Sequence, residues 1–273
     1  VEINGVAIAF NQSAFALGRL LVVDPDRVNA AVAATRTAPE FQPLTELGDI
    51  VAHRTAMLTS YQDANYAARY RALVDEVAAA ETRVLPGSRA LAVMVARNFA
   101  KLMAYKDEYE VARLHADPAF TRELAATFED GAKLRYNLAP PLFSKRDPET
   151  GHLLKREFGP WVGKLFPLLA RGKRLRGTAF DPFGHTAERK MERALIDEYE
   201  VRLREMTAAL TAANHKFAVE AASLPAQIRG YGHVKDASVE LVRALEASVV
   251  ERFRNAAPTA ETNIGDNRVA LTA

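Results

Sequence analysis

The chain has 273 residues, with 36 Lys and Arg against 34 Asp and Glu, a net charge of +2, and 49% hydrophobic residues. That length can bury a proper core as one large domain or two small ones, and the composition is that of a globular protein, not a disordered one. With no cysteine, the chain itself offers no disulfide, no thiolate zinc site, no cysteine-ligated iron–sulfur cluster and no cysteine nucleophile.

No apolar run approaches the ~18 residues a membrane span needs. The first residues lack the basic region and the cleavage site of a signal peptide. They also lack an initiator Met and open in mid-pattern, so the expectation is a piece of a longer, cytoplasmic polypeptide. The overall charge is too small to argue for nucleic acid.

Residues 1–10 alternate apolar and small side chains around Asn4-Gly5 and read as a strand or its end. Asn11 to Val22 reads as a short helix. Asp24-Pro25 predicts a helix start, with a carboxylate for the cap and a proline where no amide bond is lost. After a break at Pro39 and Pro43, Leu44 to Ser60 predicts another helix. In the Ala-rich segment from Tyr61 to Arg83, Tyr66, Tyr70, Leu73 and Val77 fall on one helical face. Pro86-Gly87 ends it, and Ser88 is placed to cap a helix with Leu91, Val95, Phe99 and Leu102 on its stripe, running to about His115. Asp117-Pro118 opens one more, ending near Asp130-Gly131.

Residues 131–188 break this regularity with clustered prolines, the single Trp161 and many cations. Between Lys133 and Arg176 stand eleven Lys or Arg and three acids, a net of +8 in a chain of +2. Leu134, Tyr136 and Leu138 alternate, as do residues 153–158, across a turn at Asp147–Gly151, which predicts a small hairpin. Pro160 to Leu169 reads as a short apolar helix. Thr186 opens the longest helix, with Leu195, Tyr199, Leu203, Met206 and Leu210 on one stripe. Asn214 to Ala222 gives a further turn set. Val239, Val242, Leu245, Val249 and Phe253 define the last helix. The tail from Asn255 has no apolar period and reads as disordered. The fold class is therefore mainly α: a bundle-like helical domain with a small β-hairpin and a basic Pro/Gly-rich insert.

The common phosphate-cradling glycine motifs, the Gly-x-Ser-x-Gly elbow and His-x-x-x-His pairs are all missing. His185 and Glu188 share a helical face, but one such pair points to capping or a salt bridge, not a metal. Arg171, Lys173, Arg174 and Arg176, between two glycines, can grip a phosphate-bearing ligand or an acidic redox partner, line a solvated helix end, or meet acidic surfaces in a larger protein. His185 is placed with them as a speculative contact. Tyr136, Phe143, Phe158 and Trp161 read as packing residues, not as stacking platforms, which makes nucleic acid an unlikely partner. In the polar run from Tyr105 to Arg113, Lys106 with Glu110 and Tyr109 with Arg113 are spaced to pair. That run is either a salt-laced helix face or meets the basic insert across a groove. The loop from Arg229 to Lys235 needs glycine dihedrals, and its His233 reads as structural.

Five strings in order, KLMAYKDEYEVARL (101–114), LRYNLAPPLF (134–143), KREFGPW (155–161), RGTAFDPFGHTAERKMER (176–193) and IRGYGHVK (228–235), resemble the C-terminal region of the fused bacterial indolepyruvate ferredoxin oxidoreductases. These belong to the thiamine-dependent 2-oxoacid:ferredoxin oxidoreductases. INGVAIAFNQSAFALGR (3–19) resembles the end of that family's gamma-type catalytic domain. The resemblance implies a domain end at 1–23, a helical connector at 24–60, a helical C-terminal domain at 61–254 with its insert at 131–185, and a tail at 255–273. It also implies an enzyme that turns an aryl pyruvate into an acyl-CoA while reducing ferredoxin. Its thiamine diphosphate, Mg, 4Fe–4S clusters and coenzyme A would be bound elsewhere in the full polypeptide. The family's cluster cysteines and its thiamine-binding Gly-Asp-Gly type motif do not occur here, so no catalytic residue carries over. This portion alone is expected to be inactive and to scaffold the catalytic domains, with a homodimer likewise implied.

Overall fold

In the computed structural model, described for residues 8–35, 43–128, 133–138 and 156–256, the chain separates into two units, 1–44 and 45–273. The first holds α1 (Ile8–Val23) and α2 (Pro25–Thr35). Asp24 caps α2 as its position predicts, accepting from the Arg27 amide at 3.1 Å, with Pro25 in the first turn. The strand expected at residues 1–10 is instead helix from Ile8 onward, because a helix bonds its own amides where a lone strand has no ladder partner. Residues 1–7 lie outside the described ones.

The second unit follows in the order α3 (Leu47–Tyr61), α4 (Ala64–Val84), α5 (Ala90–Met103), α6 (Glu108–Ala116), α7 (Pro118–Thr127), β1 (Tyr136–Leu138), β2 (Arg156–Phe158), α8 (Phe166–Arg171), α9 (Ala187–Ala208), α10 (His215–Ser223) and α11 (His233–Asn255). The fold is mainly α. Its core lies among α3, α4, α5, α9, α10 and α11. The stripes read from the sequence are the buried ones: Tyr70, Leu73 and Val77 on α4, Leu91, Val95 and Phe99 on α5, Leu195, Tyr199, Leu203 and Met206 on α9. At the centre Phe99 stacks between Tyr70 and Tyr199, with ring centroids 6.2 and 5.9 Å away. Each tyrosine hydroxyl finds a carbonyl, Tyr70 donating to Ala96 at 3.0 Å and Tyr199 to Ala222 at 2.8 Å, so these rings bury apolar area without an unmade hydrogen bond. On α11, Val239, Val242, Val249 and Phe253 are buried but Leu245 is 39% exposed. Two successive steps of three carry it backwards around a 3.6-residue helix, to the edge of the stripe.

Three boundaries differ from expectation. Tyr61 ends α3 instead of opening α4, whose cap is Asp63, accepting from the Tyr66 amide at 2.8 Å. The helix expected to run from Ser88 to His115 breaks between Met103 and Glu108, where Asp107 accepts from the Glu110 amide at 2.8 Å and starts α6 afresh. Ser88 does not cap α5 by itself. Glu81, wholly buried near the end of α4, does so from outside, accepting from the amides of Leu91 at 3.0 Å and Ala92 at 2.9 Å. Ser88 Oγ (2.7 Å) and His215 Nε2 (2.8 Å) complete its shell.

The expected hairpin forms, antiparallel, with Tyr136 opposite Phe158 and Leu138 opposite Arg156. Its turn at 147–151 lies outside the described residues, as do Gly131, Pro140, Pro141, Phe143 and the tail from 257. The expected helix from Pro160 to Leu169 is a 3₁₀ turn at Pro160–Lys164 followed by α8. These pieces enclose a second small core in which Ala112 of α6 meets Val162 and Phe166, flanked by Tyr136, Leu138 and Phe158.

Burial pushes the Glu81 carboxyl up, but the bonds from Ser88, the two amides and His215 outweigh it and hold the group below its ordinary value of 4.5. The unfolded chain therefore binds that proton more readily, and the stabilisation, full above 4.5, is lost as pH falls through the folded value. Glu81→Gln should cost about 2 kcal/mol in urea unfolding at neutral pH. The deficit relative to the unaltered chain should shrink in the same measurement below pH 4.5.

Candidate functional site: a buried arginine and the cleft beside it

The basic run does not act as one patch. Arg171 and Arg174 are exposed, Lys173 is half-buried and Arg176 is 5% exposed. Lys173 Nζ donates to the Ser60 carbonyl at 2.6 Å and Arg176 Nη1 to the Tyr61 carbonyl at 2.7 Å. Both carbonyls belong to the last turn of α3, where intrahelical donors have run out and a cation also meets the negative end of the helix dipole. The helix end these cations serve is thus α3, more than a hundred residues upstream, and not their own. His185 is exposed, its Nε2 3.3 Å from the Ala179 carbonyl.

Arg176 also closes a fork on Asp107, Nε to Oδ2 at 2.5 Å and Nη2 to Oδ1 at 2.9 Å. Its guanidinium lies 3.7 Å from the Tyr61 ring centroid and 5.7 Å from that of Tyr109. A buried fork in which each guanidinium nitrogen makes a hydrogen bond is the geometry in which an arginine tolerates loss of water. Burial lowers the affinity of the guanidinium for its proton, but the Asp107 hydrogen bond and charge more than restore it. Burial drives the Tyr61 and Tyr109 hydroxyls well above their ordinary range, so both stay neutral.

A turn organised by Asp181 holds Arg176 in place. This buried carboxylate accepts from the Gly177 amide at 2.9 Å, the Phe183 amide at 3.1 Å and the Tyr109 hydroxyl at 3.0 Å. Gly177 sits at φ +75, which favours glycine, and a Cβ on Gly184 would lie 2.5 Å from Asp181 Oδ2. The Phe183 ring meets Tyr109 edge-on, with centroids 5.4 Å apart.

Beside this box opens a cleft of about 270 Å³, lined by Gln62, Tyr66, Arg69, Tyr105, Arg176, Gly177, Arg193, Ile196 and Asp197. Arg69 pairs with Asp197 and Glu200, both at 2.6 Å. Arg193 Nη2 donates to the Gly184 carbonyl at 2.7 Å, while its Nη1 is enclosed by protein with no hydrogen-bond partner. Burial raises the Tyr105 hydroxyl, against the pull of Arg176 and Arg193.

The pairings expected around Tyr109 are replaced. Glu110 holds Arg113 at 2.7 Å, three residues on, while Tyr109 turns to Asp181. Lys106 lies outside α6 and over the Tyr231 ring at 5.2 Å. Both readings of the polar run hold in part: Glu110–Arg113 is a local helix pair, and Asp107 meets the insert through Arg176. Gly230 and Gly232 adopt the positive φ expected of them, +92 and +55. Trp161, expected to be packed away, is 58% exposed. Asp107, Asp181, Arg69 and Arg193 escaped the sequence reading. The only trace of the first is its reuse as a helix cap, and the Asp-Pro-Phe-Gly string around Asp181 signalled a turn without its partner.

Asp107→Asn removes the charge facing Arg176 and should cost about 3 kcal/mol in urea unfolding, with Arg176→Lys nearly as damaging because it loses the fork. The double variant should cost clearly less than the sum of the two. No curated protein and no solved structure matches the chain. Its match to a family model covers residues 47–248, so the chain belongs to DUF6537, a family of unknown function.

Proposed function

We propose that this chain is the C-terminal, non-catalytic portion of an indolepyruvate (aryl pyruvate):ferredoxin oxidoreductase of the cytoplasm, which docks the catalytic domains of its own polypeptide and helps form a homodimer. The whole enzyme would convert a 2-oxo acid to an acyl-CoA while reducing ferredoxin. The observation that carries this reading is a stripe on the insert. Trp161, Leu165 and Leu168 are 58%, 50% and 69% exposed, with Lys164 and Arg171 between and beside them. They stand on the 3₁₀ turn and the short α8 that follows it, which Val162 and Phe166 anchor from the buried side. An apolar ridge edged by cations and mounted on a rigid base is the chemistry of a docking surface for a partly acidic partner.

The strings shared with those oxidoreductases supply the identity of the partner. Thiamine diphosphate, Mg, the 4Fe–4S clusters and coenzyme A are then held elsewhere in the polypeptide. This chain has no cysteine for a cluster. Among its described residues no three His, Asp or Glu side chains gather to hold a cation, and no helix is long and apolar enough to cross a membrane.

A second reading assigns the exposed cations Arg171 and Arg174 to direct contact with coenzyme A phosphates or with acidic ferredoxin. Its support is that Lys173 and Arg176 are committed inward and these two are not.

Mixed with the separately expressed catalytic portion, the chain should associate at micromolar concentration in gel filtration. The pair Trp161→Glu and Leu168→Glu should weaken that association at least tenfold. No association would overturn the docking role. In the full-length enzyme, Arg171→Glu with Arg174→Glu should raise the KM for coenzyme A or ferredoxin, and unchanged kinetics for both would remove the second reading.

A further inference from the structure

The charges around the 270 Å³ cleft do not balance. Arg69 is matched by Asp197 and by Glu200, which Arg204 also holds at 2.9 Å, and Arg176 by Asp107. Arg193, the third arginine of the wall, pairs with no carboxylate among the described residues. Its Nη2 donates to the Gly184 carbonyl and it also meets the neutral Tyr105 hydroxyl, while its Nη1 is enclosed with no partner. A guanidinium N–H withdrawn from water without an acceptor costs roughly 1–3 kcal/mol. Folding has nevertheless placed it there, on the 22-residue α9. The rest of the wall is of another kind. Tyr66, Tyr105 and Ile196 present rings and a branched alkyl chain, and Gln62 an amide.

We infer that this cleft binds a compact organic carboxylate, its charged end taken by Arg193 and its apolar body laid against Tyr66, Tyr105 and Ile196. One uncompensated cation is balanced by one negative charge, whereas a phosphate dianion would leave an excess charge in a half-enclosed site. The planar fork of a guanidinium also matches the two coplanar oxygens of a carboxylate. The volume lies just below the ~300 Å³ at which pockets begin to hold drug-sized molecules, so the ligand is small. To meet it, the Arg193 guanidinium turns about its side-chain torsions and gives up bonds only to neutral groups, the Gly184 carbonyl and the Tyr105 hydroxyl. The inference stands on this geometry alone and is independent of the docking surface on the insert.

The test is calorimetric titration of the 273-residue chain at neutral pH with benzoate, and with its neutral isostere benzamide. Saturable binding of benzoate with a Kd of about 1 mM or tighter is expected, with benzamide at least tenfold weaker. Arg193→Gln should weaken benzoate binding tenfold or more, Arg193→Lys less, and the exposed Arg174→Gln should leave it unchanged, with thermal unfolding verifying that each variant is folded. Equal affinity for benzoate and benzamide would overturn the proposal without recourse to any variant. So would benzoate binding that survives Arg193→Gln in a folded protein, inorganic phosphate that binds more tightly than benzoate, or the absence of saturable benzoate binding.

Discussion

One buried ion pair ties the insert of this protein to the ends of two helices. Arg176 satisfies Asp107 with two bonds and the end of α3 with a third, while lying on the ring of Tyr61. Each partner has a second duty. Asp107 starts α6 by capping it, and the Tyr61 hydroxyl donates to the Tyr105 carbonyl at 3.0 Å, across the chain break between α5 and α6. One side chain thereby fixes the end of one helix, the start of another and the turn that leads into α9. Such a pair gives little net stability relative to an apolar replacement of the same shape, but loss of either member strands the other in a place water cannot reach.

That arrangement recasts the basic character of residues 131–188. A surplus of cations in sequence reads as a surface offered to something outside. In the fold, two of the four cations in the run from Arg171 to Gly177 are spent on carbonyls and a carboxylate of the core, and two remain in solvent. What the insert offers outward is mixed: an apolar ridge at Trp161, Leu165 and Leu168, edged by Lys164 and Arg171. The cleft beside Arg176 is a separate feature with the opposite logic, since there one of the cations, Arg193, meets no carboxylate among the described residues.

Glu81 repeats the same device on the other side of the core. A carboxylate near the end of α4 caps α5, takes Ser88 and His215, and so ties α4, α5 and α10 at one point. Lys101 does the converse, donating to the carbonyls of Pro225, Ala226 and Ile228 at 2.7, 3.1 and 3.0 Å. In each case a charged side chain closes the orphan amides or carbonyls of a helix end that is remote in sequence.

Most of the helices, their buried stripes and the presence of the hairpin follow from the sequence, because periodicity and turn residues act over a few neighbours. Tyr70, Phe99 and Tyr199 are marked as core by spacing alone, and Asp24, Asp117 and Thr186 stand where caps must stand. The halt of α5 at Met103 was not legible, because nothing local forbids a helix through Tyr105 and Lys106. It is Arg176, sixty-nine residues away, that makes a cap of Asp107 worth more than continued helix. For the same reason the sequence could mark Arg171, Lys173, Arg174 and Arg176 as cations but not sort them. Local chemistry determined which residues carry charge and which carry apolar area. The tertiary structure decided which charges meet and which, like Arg193, face no carboxylate among the described residues, because electrostatic pairing depends on distance in space and sequence spacing records only distance along the chain.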